Sequence, residues 1–451
     1  MTPAAPPVRH LYIHVPFCRA KCDYCDFFSA PVTGSAALDE AAAVRAGEAL
    51  PAVARPTPVA DDPELDRFVE AVFSEFELER GVLGLRRLRT VYLGGGTPSL
   101  LGVERLERLL ARLEPHVAPH TEVTLETNPE DVSEIYAAWA ARRGLRVSLG
   151  VQSFATRLRA ALGRRATADP AAAFERLRAA GCSNLGIDLI FGIPGQTRGD
   201  LGQELAEVAR LRPDHVSWYE LDVARGTPLA RRLAAERRAA CRRPDDDPRE
   251  RSGRISDGGG ASQPEEAAEL FRGVVRGLGR LGYNWYEVSN FARPGRRCRH
   301  NLAVWRGEPY LGLGPAAVST IGDRRRQNRP GSADYLDALA PAASAARGGV
   351  VAHAAEDERS AVRPAAPRRR TERLDGLARA RERVFLAARI GAPVRLADVA
   401  ECLDTDAIHP LAEAGFVALR GGTLRVTRKG RYVANEVCVR LFRDSHVKGT
   451  V

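Results

Sequence analysis

Six short β-branched or apolar runs recur along the chain, at residues 11–15, 90–93, 122–125, 146–149, 185–190 and 215–219. Between them lie stretches with the apolar period of helices, at 64–79, 103–113, 132–143, 170–180 and 200–210. Strands that alternate with helices pair in parallel, because each crossover returns the chain to the same edge of the sheet. The pattern predicts an α/β fold built as an open or partial (β/α)6 barrel. Its functional groups are then expected where the carboxyl ends of the strands gather, the rim on which barrel active sites form.

The residues just after each run support that expectation. After the first comes PFCRAKCDYC, after the second GGGTPS, and after the third Glu126-Thr127-Asn128-Pro129. Gly150-Val151-Gln152-Ser153 comes after the fourth and FGIPG after the fifth. Three segments poor in core-forming residues, 30–63, 242–264 and 340–371, read as two insertions and a linker. They divide the chain into a core over 8–335 and a C-terminal domain over 372–445. The order helix, helix, apolar hairpin, helix in that domain resembles a winged helix. No basic recognition helix stands out there, so packing is favoured over DNA binding.

Eight cysteines occur, three of them as Cys18-x3-Cys22-x2-Cys25 directly after a strand. Such a cluster reads as metal-binding or catalytic. Three thiolates can ligate three irons of a [4Fe–4S] cube and leave the fourth iron open, while a zinc site with a distant fourth ligand is the plainer alternative. Cys182, Cys402 and Cys438 lie in apolar helical contexts and read as core, Cys241 receives no role, and Cys298 reads as packing before ligand. His14 either lines the site or packs beside Tyr12 on one strand face.

YIHVPFCRAKCDYC followed by GGGTPS resembles the radical S-adenosylmethionine (SAM) superfamily. GVQSF, Gly163-Arg164 and GIDLIFGIPGQT narrow the resemblance to the oxygen-independent coproporphyrinogen III oxidase group. The resemblance implies that Cys18, Cys22 and Cys25 hold a [4Fe–4S] cluster whose open iron chelates SAM, and that an electron cleaves SAM to methionine and a 5′-deoxyadenosyl radical. It implies that Tyr12 and Tyr24 line that pocket and that Gly95, Gly96 and Thr97 receive the methionyl moiety, with no Cβ to hold backbone groups off. Glu126 is expected to accept hydrogen bonds from SAM. Gln152 and Asp188 are expected to hold ribose hydroxyls or related polar groups, and Arg164 to pair with a carboxylate. Each has a plainer alternative, as a turn glycine, a helix cap or a solvated cation.

The oxidase pattern carries a fourth cysteine two residues after the third; here Phe27 stands there. That departure, with the short segment before the first strand, looks like the HemW-type heme-chaperone branch. His300-Asn301-Leu302-Ala303-Val304-Trp305 resembles that branch's HNxxYW heme-associated motif, with Val304 in place of Tyr. The resemblance implies His300 as a haem ligand and Trp305 as a plate for the macrocycle, in a region expected near the barrel mouth; the alternative is that both close the lower side of the barrel.

Composition sets the remaining expectations. The net charge is +10, but only three cations are lysine and the arginines are scattered without interleaved aromatics, so no nucleic-acid partner is expected. No apolar run is long enough to cross a membrane and no secretory leader is recognisable, which points to the cytoplasm and leaves room for peripheral membrane association and for a homodimer. The leading expectation is a chaperone that binds haem as cargo and hands it to acceptor proteins. The alternative is an oxidase converting coproporphyrinogen III to protoporphyrinogen IX; a radical-SAM enzyme acting on an unrelated substrate is a third possibility.

Overall fold

The computed structural model describes residues 7–32, 62–85, 87–164, 167–240, 264–339 and 366–443. Cys241 and most of the three segments read as insertions or linker lie outside these residues. The chain divides into two compact units. One comprises residues 1–19, 28–121 and 309–373, the other 20–27, 122–308 and 374–451.

In the first unit, strand β1 (His10–Val15) pairs in parallel with β2 (Leu88–Gly95) on one side and with Tyr310–Leu313 on the other. Antiparallel strands Val318–Ile321, Arg324–Asn328 and Arg369–Arg373 extend the sheet beyond Tyr310–Leu313. Two helices match the expected pattern. Pro63–Leu83 starts on the Asp62 side chain and ends at left-handed Gly84, and Gly102–Leu113 buries Leu106, Leu109, Leu110 and Leu113 on one face. Leu11, Ile13, Phe68, Phe76 and Leu93 form fully enclosed core.

Two stretches expected to lack structure contribute strands at their ends. Ala30–Pro31 pairs in parallel with Phe17–Cys18, and Arg369–Arg373 pairs with Arg324–Asn328. Arg369 explains the second. Its guanidinium reaches buried Glu75, whose carboxylate also accepts from Gly314 N, Asn328 Nδ2 and Tyr335 Oη. A composition-based reading counts Arg369 as solvated, whereas a buried carboxylate needs such a partner.

In the second unit, β3 (Val117–Thr127, from Glu122 onward), β4 (Arg146–Gln152), β5 (Asn184–Phe191) and β6 (His215–Glu220) run parallel in that order. Helices Glu134–Arg142, Pro170–Ala179 and Arg198–Leu211 make the crossovers. Asn290–Ala292 and Asn284–Glu287 add antiparallel strands beyond β6. The six expected strands and five expected helices are therefore all present, and the fold class is α/β with a parallel core.

The C-terminal module packs helices Gly376–Ile390, Thr405–Glu413 and Ala434–Leu441 on a three-stranded sheet of Val394–Arg395, Thr423–Val426 and Val417–Arg420. Its own core includes Val384, Val399, Leu424 and Leu441. Between the first helix and Thr405–Glu413 the chain makes two 3-10 turns, Leu396–Asp398 and Ala400–Cys402.

Candidate functional site

The first unit positions Cys18 through the glycine run. Gly96 N donates to Val15 O and Thr97 N to Phe17 O, each at 2.7 Å, and Thr97 Oγ1 donates to Cys18 Sγ at 3.7 Å. A Cβ on Gly96 would stand 2.5 Å from Phe17 O, so only glycine permits this approach. Backbone does come close here, as the sequence suggested, but the backbone is the chain's own. The N–H groups of Gly96 and Thr97 are thus engaged by the loop that carries Cys18.

Above the same run lies His14, almost fully buried. Its Nε2 donates to Phe28 O at 2.8 Å, so Nδ1 is left to accept from Tyr12 Oη at 3.1 Å. Burial lowers its pKa from 6.5, which keeps the ring neutral at neutral pH. Tyr12 also packs at 6.1 Å from Tyr92. His14 is therefore a packing residue with a fixed tautomer, one of its two anticipated roles.

In the second unit, Cys25 N donates to Cys22 O at 3.1 Å, closing a turn that carries both half-buried thiols. Tyr24, between them, packs on the apolar cluster of Leu158, Leu162, Ile190, Ile193, Leu221 and Leu229. Burial pushes its phenol well above the ordinary range, and the fields of Cys22 and Arg164 act on it in opposite directions.

Arg164 donates from Nη2 to Asn128 Oδ1 at 2.9 Å and lies 3.9 Å from Glu130 Oε2. The carboxylate near this guanidinium in the structure is thus the chain's own. Asn128, quoted in the sequence but given no role, is the residue it grips. Gln152 sits at the end of β4 with φ +64°, at a register shift between Gly150 and Gln152. A non-glycine residue held in that region at a strand end re-aims its side chain, a feature that clusters at functional sites. A Cβ on Gly150 would meet Asn128 Oδ1 at 3.1 Å and Gln152 Nε2 at 3.2 Å, so Arg164, Asn128 and Gln152 form one polar group.

Asp188 accepts Ser148 Oγ at 3.0 Å on each carboxylate oxygen. Burial raises its pKa, and hydrogen bonds from Ser217 and Ser148 oppose the rise. Ser148, Asp188 and Ser217 share one face of adjacent strands, and their strand-mate Tyr219 is 41% exposed within the electrostatic reach of Asp188 and Glu126. Ser148, Ser217 and Tyr219 were not singled out from the sequence. Their signal was the every-second-residue polarity inside otherwise apolar strands.

His300 is elsewhere. It lies in the helix Arg299–Trp305, whose backbone N–H groups at Arg299 and His300 are accepted by Glu122 Oε1 at 2.7 and 3.2 Å. Glu122 and its neighbour Arg146, 3.8 Å away, stand where β3 and β4 enter the sheet, opposite to the strand ends that carry Glu126 and Gln152. The expectation that this motif lies near the barrel mouth is therefore corrected. His300 is 5% exposed, and Trp305 stacks under Arg389 at 4.3 Å. Burial pushes the Cys298 thiol up to about 12, as fits a packing cysteine.

Among the described residues, no three His, Cys, Asp or Glu side chains converge tightly enough for a single metal ion. Three thiols spaced as Cys18-x3-Cys22-x2-Cys25 are donors of the kind a [4Fe–4S] cube takes, each on a separate iron. Phe27, at the fourth-cysteine position, is 65% exposed.

Residues 12–208 match the radical SAM superfamily. The heme chaperone HemW of Mycobacterium tuberculosis is 37% identical over 336 residues, covering 74% of each chain. The chain belongs to the HemW family of radical SAM proteins. HemW of Lactococcus lactis is 31% identical over 72% of this chain and 73% of that one, and HemW of Bacillus subtilis is 27% identical over 95% and 98%. Among solved structures, the radical SAM enzyme coproporphyrinogen III oxidase (HemN) of Escherichia coli superposes with a TM-score of 0.68 at 22% identity, covering 97% of this chain and 91% of that one. At that identity it shows the shared fold. The HemW relatives, not HemN, set the family, in keeping with Phe27 where the oxidase pattern has cysteine.

Proposed function

We propose that this chain is a heme chaperone that holds haem and hands it to acceptor proteins, on a radical SAM core carrying a [4Fe–4S] cluster and SAM. The observation that carries the reading is membership of the HemW family together with Phe27. Cys18, Cys22 and Cys25 are the cluster ligands in this reading. When bound, a cluster with one open iron supplies a single electron to SAM. The chain's residues bind and orient SAM. Glu126 and Asp188 offer carboxylate acceptors, and Gln152, Asn128 and Arg164 form a polar group at the neighbouring strand end. Tyr12 and Tyr24 act through what they hold, His14 and the Cys22–Cys25 turn respectively.

Haem contact is assigned to the Arg299–Trp305 helix. His300 must leave its buried position to reach an iron, so its replacement tests that part of the reading most sharply. The C-terminal module is read as packing, since its second helix, Thr405–Glu413, has no lysine or arginine to meet a phosphate backbone. No described helix is long and apolar enough to cross a membrane, and contact with a membrane surface or a second copy is a matter for fractionation and sizing. The experiment that decides is incubation of one reconstituted preparation with haem and, separately, with coproporphyrinogen III. Haem retention and transfer without decarboxylation supports the chaperone. Protoporphyrinogen IX without haem retention makes the oxidase reading correct.

A further inference from the structure

The two residues between Cys22 and Cys25 are both anchored, by different physics. Tyr24 is held by the apolar cluster around Leu158 and Ile190. Asp23 is held by polar contacts on both its backbone and its side chain. Its N–H donates to Leu162 O at 3.1 Å, and its carbonyl accepts Leu229 N at 2.9 Å. Arg232 donates from Nη1 to Asp23 Oδ2 at 3.1 Å, and from Nη2 to Ala161 O.

Gly163 completes the enclosure. It sits at φ +68°, and a Cβ there would collide with the Asp23 carboxyl group. The Gly163-Arg164 pair singled out in the sequence is thus explained at its first residue by Asp23. It lets the chain pass under a carboxylate before Arg164 turns to Asn128. Two separate segments, residues 161–163 and 229–232, therefore meet on one residue of the cysteine loop.

We propose that Asp23, clamped by Arg232 and Gly163, is a positioning residue that fixes the Cys22–Cys25 turn before any iron arrives. The two thiols are preorganised, and the Asp23–Arg232 pair places a balanced charge beside whatever they ligate. Both side chains are only partly exposed, at 29% and 38%, so each charge is felt locally. The inference rests on the proposed cluster for its second half alone; preorganisation of the thiols is a property of the metal-free chain.

The test has two arms. In the metal-free arm, on a Cys18→Ser background, phenylarsine oxide probes whether two thiols are held within bridging reach. Asp23→Asn and Arg232→Gln are each expected to slow capture severalfold at unchanged circular dichroism. Capture at the unaltered rate in both overturns the proposal, whatever the iron content.

In the reconstituted full chain, the cluster's midpoint potential is read by dye titration. Net charge near a cluster sets its potential. Removing the Asp23 charge is expected to shift it positive, removing the Arg232 charge to shift it negative, and the double variant to return towards the parent. A role confined to loop stability moves both single variants the same way, and that result overturns the charge half. A chain that takes up no iron yet shows the arsenical effect leaves the clamp standing and removes the cluster reading instead.

Discussion

The imidazole of His14 covers Gly95 so closely that a Cβ on Gly95 would stand 2.5 Å from the ring, and Gly95 itself has φ +108°. Both facts forbid a side chain at this position. Gly95→Ala is expected to cost about 3 kcal/mol, combining backbone strain with overpacking. On a His14→Ala background the collision disappears and only the strain remains, about 1 kcal/mol. Urea denaturation of the four chains measures the coupling. Additive costs would mean that the two residues do not meet.

The cysteine loop makes a compositional prediction. Anaerobic reconstitution is expected to load about four irons per chain, and Cys18→Ala, Cys22→Ala or Cys25→Ala to abolish loading. Thr97 Oγ1 donates to Cys18 Sγ, so Thr97→Val is expected to keep the iron while altering the cluster spectrum modestly. Stoichiometric zinc, or intact loading in all three cysteine variants, would refute the assignment.

For SAM, the reduced cluster's EPR spectrum is the readout. Three cysteines leave one iron for a ligand from outside the protein, so saturating SAM is expected to change the spectrum. Glu126→Ala is expected to raise the SAM concentration required by roughly tenfold, the loss of one charge-assisted hydrogen bond. Arg164→Gln provides the contrast. Its guanidinium is engaged by Asn128 and Glu130, so it acts on SAM through Asn128 and Gln152 and is expected to weaken binding less. A spectrum indifferent to SAM contradicts the reading.

How far these features were legible depends on how local each one is. Cys18, Cys22, Cys25 and Gly95–Thr97 were readable because short spacing after a strand fixes where they stand. The strand-end position of Glu126 and Gln152 was readable for the same reason. That the backbone packed against Gly96 belongs to residues 15–17 was not readable, because nothing in GGGTPS announces it. The side of the sheet taken by His300 depends on Glu122, almost 180 residues earlier, and no motif announces that pairing. Arg369 and Glu75 were hidden likewise, since one arginine in the run Arg368-Arg369-Arg370 looks solvated until its carboxylate is seen.

Stability is expected to fall in mild acid through His215. Its ring is fully enclosed, with Nε2 hydrogen-bonded to Tyr286 Oη at 2.7 Å, and burial first, then Arg146, holds its pKa well below 6.5. The native ring stays neutral, whereas the unfolded ring takes a proton below about pH 6.5. Above that pH the group is neutral in both states and contributes no slope. Below it the unfolded chain gains a proton and stability drops by up to about 1.4 kcal/mol per pH unit, until the native ring itself protonates. His14 and His116 are shifted the same way, so His215→Asn is expected to flatten the slope without removing it. Urea midpoints between pH 8 and pH 5 test this, and identical slopes in parent and variant would contradict it.

The last prediction separates cargo binding from catalysis, and it rests on Phe27 and His300. An exposed phenyl ring at Phe27 offers no thiol, so decarboxylation of coproporphyrinogen III is expected to stay at background in the reconstituted chain. Phe27→Cys restores the fourth cysteine of the oxidase pattern but none of the oxidase's other determinants, and is not expected to create turnover. Haem is expected to bind both proteins equally. His300→Ala has two separable consequences. The side chain is buried on the first turn of the helix that Glu122 caps, so its loss leaves a cavity and lowers Tm by several degrees. If the imidazole also ligates iron, the Soret band shifts and haem dissociates faster. Asn301→Ala, on the same helix but less buried, is the control for helix disturbance. A lowered Tm with an unmoved Soret band assigns His300 to packing and places the haem on other groups. Product formation without haem retention, in the same preparation, would overturn the chaperone reading itself.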